Sequence, residues 1–445
     1  MFKRMSFWWQ EIGSSFWFVP AVIVIGAVML ASALIFVDAT VELHVEKQWP
    51  LVFGAGAAGS RGLLTAVASS MITVAGVVFS ITIVALSLTS SQYTSRVLRN
   101  FMRDHSNQVV LGVFVGIFAY CLVVLRTIRS GDEGAFVPSL AVLGGLALAF
   151  LGIGFLIFFI HHIAISIQAS SIIAAAALET KTAIDQFFPD GLGDSLEDDV
   201  DVRRAATDAE RHWTAIASRA TGYIESVDGN GLLEFAVRYC TIVRMERGIG
   251  EFVVESTPLI SVAGPLPEKA SAELNAMFVI THQRTVQQDV GFGIRQIVDI
   301  TLKALSPGVN DTTTGVMCVD YLAVILVQLA QRRITTAYRL AEGDLRLITR
   351  APTFQSLVSE AFNQIRQNAE GNVAVLTKLL EALETIATAT RHGERLQCLK
   401  NQAQLVFVVA EQTVRPHDVE PIRVVMARFL SGIEQRKSPK SEPSV

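Results

Sequence analysis

Residues 71–96, MITVAGVVFSITIVALSLTSSQYTSR, decide how the chain is read. The stretch is too apolar for a water-exposed helix, yet it carries a hydroxyl group every few residues. At 100° per residue, Ser69, Thr73, Gly76, Ser80, Ser87, Ser91 and Thr94 fall within about 40° of one line. Met71, Val74, Val78 and Ile81 point away from that line. One face is small and hydroxylated, and the other is built for lipid or packing. Extended back to residue 63, the helix would run about 43 Å against a hydrocarbon core of about 30 Å, so it must tilt or protrude.

Three more apolar runs lie around it, at 16–37, 107–125 and 137–161. Together with 63–91 they predict four spans, and the greasy part of the chain ends near residue 165. Overall, 51% of residues are hydrophobic and 18% charged, a balance shifted towards membrane proteins. The start MFKRMS and the small residues ASA at 31–33 resemble a signal peptide. The apolar run is about 20 residues, however, which suits an uncleaved spanning helix better. Trp8, Trp9 and Trp17 sit where an interfacial aromatic belt would. Lys3 and Arg4 before the first run, and Arg96, Arg99 and Arg103 after the second, place both regions and both termini in the cytoplasm. Arg61, Arg126 and Arg129 fall on the outer side and weaken that assignment.

The expected fold is an α-helical membrane protein with four transmembrane helices followed by a mixed α+β, mainly helical cytoplasmic domain with a small β unit. The transmembrane domain covers 1–165. A helical linker with an acidic loop, DGLGDSLEDDVD, covers 166–220; the fourth helix is expected to run on through HHIAISIQASSIIAAAA without a break. Short β-branched runs bounded by DGNG and GIG mark a small barrel-like β unit at 221–264, with GEFVVESTPLISV as one hairpin. Apolar-periodic runs such as VMCVDYLAVILVQLAQ predict helices over 265–435, and residues 436–445 read as a disordered tail.

Several chemistries find no support. A net charge of -4 gives no footprint for nucleic acid. Cys121, Cys240, Cys318 and Cys398 lack metal or disulfide spacing, and the acidic loop lacks the alternating ligands of a calcium site. A GxGxxG at Gly54, Gly56 and Gly59 opens a membrane helix and not the helix of a βαβ unit. His161 and His162 read as interfacial polar residues. No metal, cofactor or catalytic residue is expected, and nothing argues for an enzyme.

The hydroxyl face leaves two readings open. Small and hydroxylated residues let membrane helices approach closely, or they line a watery path in an oligomer. In the second reading Ser69, Thr73, Ser80, Ser87 and Ser91 line the pore. Arg61, Arg96, Arg99 and Arg103 then form basic mouths that favour anions; otherwise these arginines anchor the helix at headgroups. The spans carry no Asp, Glu, Lys or Arg, which favours a passive pore, or no transport, over a coupled carrier. Gly112 and Gly116 form a GxxxG that marks a close helix contact, within a subunit or between subunits.

A second long motif, HQRTVQQDVGFGIRQIVDITLKALSPGVNDTTTG at 282–315, lies in the later half. With SSMITVAGVVFSITIVALSLTSSQYTSRVLRNFMRD at 69–104, it resembles the domain of unknown function 2254 family of predicted bacterial membrane proteins. The resemblance spans nearly the whole chain and implies a membrane half and a cytoplasmic half in a bacterial inner membrane; Thr312 stands where the family pattern has a proline. Within the motif, Gly291 and Gly293 are expected to loosen a helix braced by an Arg295–Asp299 pair, and Asn310 or Asp311 to cap the next helix. Arg284, Gln288, Asp289, Arg295 and Asp299 form either a hinge or a polar subunit contact or ligand-sensing surface. The functional expectation is a homo-oligomeric passive ion channel in the lipid bilayer, assembled or gated by its cytoplasmic domain. The alternative is a non-conducting membrane scaffold or stress-response regulator.

Overall fold

The computed structural model describes residues 17–40, 56–92, 104–129, 136–187, 212–265, 267–286, 288–332, 334 and 337–437. The acidic loop, residues 438–445 of the expected tail and Arg96, Arg99 and Arg103 lie outside these residues, whereas 436 and 437 are helical and not disordered. The chain divides into two units, Met1–Ser171 and Ile172–Val445.

The first unit holds α1 (Phe18–Thr40), α2 (Gly56–Gln92), α3 (His105–Thr127) and α4 (Ser139–Ser166), each long and apolar enough to cross a membrane. α3 is central and packs against the other three. Its glycines make this possible: a Cβ on Gly112 would come within 2.9 Å of the Pro20 backbone, and one on Gly116 within 3.4 Å of Ala27. The GxxxG therefore serves a contact inside one chain, between α3 and α1. On α4, a Cβ at Gly145 would meet Leu64 at 2.7 Å, and one at Gly152 would meet Met71 at 3.1 Å.

Polar groups tie the helix ends together. α4 begins after Pro138, which offers no side-chain cap. Asp38 supplies one from the far end of α1, accepting from the N–H groups of Leu140 and Ala141 at 3.2 and 3.1 Å. Tyr120 donates its hydroxyl to the Ala141 carbonyl at 2.7 Å. Asp104 caps α3 through the Ser106 N–H and pairs with His162 on α4. Asn107, at the same end of α3, is buried with no partner for its amide among the described residues.

α4 does not run on unbroken as expected. It ends at Ser166, and a turn at Ile167 and Gln168 precedes α5 (Ala169–Phe187).

The second unit contains more β structure than predicted, and in other places. Its strands are β1 (Trp213–Ala217), β2 (Gly222–Val227), β3 (Val243–Met245), β4 (Phe252–Val253), β5 (Pro258–Ala263), β6 (Phe278–Thr281), β7 (Tyr338–Ala341) and β8 (Asp344–Ile348). One sheet has the order β1-β5-β3-β8-β7 and the other β4-β2-β6. The expected hairpin of GEFVVESTPLISV does not form, because β4 and β5 belong to different sheets. DGNG does bound a strand, β2, but it opens a helix and not a second strand: Asp228 caps α6 (Gly229–Arg238) by accepting from the Gly231 N–H. Buried Leu232, Phe235 and Ala236 of α6 join the sheet core. A short helix, α7 (Glu268–Asn275), precedes β6.

The remaining helices are α8 (Val290–Ala304), α9 (Thr312–Gln331), α10 (Phe354–Asn368), α11 (Val373–Thr388), α12 (Gly393–Thr413) and α13 (Pro416–Lys437). α9 is a fifth helix apolar enough to cross a membrane. It packs against α8, α10 and α11, burying Cys318, Leu322, Ile325, Leu326 and Leu329.

Candidate functional site

α2 has two faces of different character. Its buried residues are Ser60, Leu64, Ala68, Met71, Ala75, Val78, Thr82, Ala85 and Thr89. From Leu64 onward they recur at alternating steps of four and three, the spacing of a helix packed along a single seam. The predicted apolar face is thus largely the packing face: Met71 and Val78 are buried, Val74 is half-buried, and Ile81 is exposed.

Ser69, Thr73, Ser80, Ser87 and Ser91 are all exposed on the chain's outer surface. Thr73 donates to the Ser69 carbonyl at 2.8 Å, and Ser80 to the Gly76 carbonyl at 2.9 Å. Such bonds satisfy the hydroxyl proton within the helix and leave the oxygen's acceptor capacity outward. Of the proposed basic mouths only Arg61 falls within the described residues. It donates to the Ile128 carbonyl at 2.7 Å and closes the end of α3.

The motif at 282–315 resolves into three places. At the start of α8, Asp289 is buried and caps the helix, its Oδ1 accepting from the Phe292 N–H at 2.9 Å. Its Oδ2 accepts from both Nε and Nη2 of Arg284, at 2.8 and 2.7 Å. Burial pushes the Asp289 carboxyl up from its ordinary pKa, against the downward pull of Arg284 and the Phe292 N–H. Gln288 accepts from the Val227 N–H at 3.2 Å, linking this corner to β2.

Further along α8, Arg295 pairs with Asp299 at 2.8 Å and reaches Glu360 of α10 at 3.5 Å. Beyond the helix, Asn310 takes a left-handed φ of 51° and Asp311 caps α9, accepting from the Thr314 N–H at 3.0 Å and from its hydroxyl at 2.6 Å. Those two bonds hold the Asp311 carboxyl below the usual carboxylate range. Arg284, Gln288 and Asp289 are therefore one cluster, and Asn310 and Asp311 belong to the opposite end of the helix.

Of the motif glycines, Gly293 has a packing role. A Cβ on Gly293 would approach Thr180 Cγ2 and Cβ of α5 to 2.8 and 2.9 Å, so this glycine allows two helices to touch. With residues that no local pattern singles out, the Asp289 corner forms a cavity wall. Gly250 lies over the Arg284–Asp289 pair at φ 81°, where a Cβ would fall 2.8 Å from Arg284 Nη2. Arg339 and Arg350 stand in the same wall.

Both quoted motifs, with most of the chain around them, fall within a match to the family of predicted membrane proteins DUF2254, covering residues 13–385. The chain belongs to that family. Uncharacterized proteins of Mycobacterium tuberculosis and Mycobacterium bovis are 34% and 33% identical to it over 376 residues, covering 81% of this chain and 70% of theirs. No solved structure matches the chain. Within this DUF2254 chain, the signal for the Asp289 corner was the density of polar residues around a glycine pair. Gly250 carried a signal only as part of the GIG turn, and Arg339 and Arg350 carried none, because the fold alone brings them to this wall.

Proposed function

We propose that this protein is a homo-oligomeric passive ion channel of the bacterial inner membrane. Four helices, α1 to α4, span the bilayer with both termini in the cytoplasm, and the second unit is a cytoplasmic assembly and gating element. α9 stays with the second unit in this reading, since its apolar side already has neighbours there.

The observation that carries the proposal is the uncovered hydroxyl face of α2. The outer faces of α1 and α4 present Val22, Ile25, Met29, Phe36, Phe150 and Ile157, as lipid contact requires. On α2, Ser69, Thr73, Ser80 and Ser87 share the outer surface with Val77 and Val84. In a ring of copies, hydroxyl oxygens substitute for lost hydration and apolar neighbours narrow the path. Anion preference rests on the basic residues at 96, 99 and 103 flanking one end of α2.

The second reading is a scaffold whose copies meet through the same face. It is favoured by the internal bonds of Thr73 and Ser80, which need no water. Ion flux from liposomes under chloride and potassium gradients separates the two. For a channel, Ser80→Leu lowers flux at least tenfold while the oligomer stays intact; a scaffold conducts nothing under any gradient, voltage or tension.

A further inference from the structure

The start of α8 opens on a cavity of about 760 Å³, within the size range of sites for small organic molecules. Three helices begin at its wall, and their capping residues Asp228, Asp289 and Thr353 all line it. Each cap takes one N–H, at Gly231, Phe292 and Ser356 respectively, whereas a helix leaves its first four without intrahelical partners. First-turn residues Gly229, Asn230, Val290 and Gly291 also face the cavity.

Arg284, Arg339 and Arg350 add donors to the same wall. Arg284 gives Nε and Nη2 to Asp289, and Arg350 gives Nε to Glu251 at 3.1 Å and Nη1 to the Glu246 carbonyl at 2.8 Å. A guanidinium has five N–H donors, so Arg284 and Arg350 retain donors beyond those contacts. The carboxylates are engaged: Asp289 by Arg284 and its helix, Asp228 by Gly231, Glu251 by Arg247 and Arg350, and Glu360 by Arg295. Between the polar groups the surface is apolar, formed by Phe187, Val227, Met245, Ile249 and Leu357. A donor-rich end beside an apolar wall suits an acceptor-rich molecule with an apolar body.

We propose that this cavity binds a small organic anion, a phosphate or carboxylate on an apolar body. The first turns of α6 and α8, with Arg339 and Arg350, hold the charged end, and Met245, Ile249 and Leu357 hold the body. The site stands independently of ion conduction.

Hydrogen exchange of the full-length protein in nanodiscs tests this with phenyl phosphate and benzoate at millimolar concentration, with phenol as the neutral control. Both anions are expected to slow exchange severalfold at residues 229–231 and 290–292, and phenol to leave it unchanged. Arg339→Gln and Arg350→Gln together abolish the protection. Gly291→Val also abolishes it, by filling space at the first turn of α8, since its Cβ would sit 3.3 Å from Asp289 Oδ1 and 3.9 Å from Leu357. An unchanged melting temperature for either variant excludes misfolding as the cause. Absence of protection by both anions, equal protection by phenol, or protection that survives in well-folded variants overturns the proposal.

Discussion

Gly293 shows how much one missing methyl group sets. Its α-carbon lies against Thr180, and Thr180 itself is fully buried, donating to the Ala176 carbonyl at 2.6 Å. Gly293→Ala forces α5 and α8 apart and is expected to destabilise the second unit by about 1–3 kcal/mol, as overpacking does. Adding Thr180→Ala removes the hydroxyl and methyl and restores part of that loss; chemical denaturation of the two variants reads the difference. Asp311 gives a pH-dependent counterpart. Its carboxyl titrates below its ordinary value because Thr314 donates to it, so its contribution is present above about pH 3.9 and fades as pH falls through the lowered value. Melting temperature followed into acid falls less steeply for Asp311→Asn than for the native chain if this cap operates.

At the scale of the helix, α3 carries the first unit, and its Gly112 faces backbone. A flexible side chain could move aside, but Pro20 Cα, 2.9 Å from the would-be Cβ, cannot. Gly112→Leu is therefore expected to separate α1 from α3 and to lower the detergent-solubilised protein's melting temperature by several degrees. Ala at Gly154, which has nothing within 4 Å, leaves it unchanged. The long apolar helices were legible, since length, hydropathy and a seven-residue hydroxyl spacing are local properties, whereas α6 lies in a stretch read as β. The sheets were not. β3 pairs in parallel with β8, Val243 opposite Leu347, and no window of sequence contains both. β3 has three residues and β4 two, too few for alternation to register. DGNG misled because Asp followed by glycines fits a strand-connecting turn as readily as a helix cap. The Asp289 corner was half legible: the motif held Arg284, Gln288 and Asp289, whereas Arg339 and Arg350 reach it only through the fold.

For the whole molecule, an outward face of Ser69, Thr73, Ser80 and Ser87 poses the question of what covers it. Within a conducting oligomer, cysteine placed at Ser80 is reached by a membrane-impermeant thiol reagent from water, at a rate at least tenfold above that of buried Cys121. Lipid or a second copy on the same face makes the two rates equal. The covering of α4's first turn is settled inside the chain, and it has a bearing on synthesis. Asp38 precedes the two amides it holds by 102 and 103 residues. During translation α1 is complete, with a carboxylate that has no helix to cap, long before α4 emerges. A chain halted before residue 139 therefore lacks both amides that the Asp38 carboxylate holds in the complete fold.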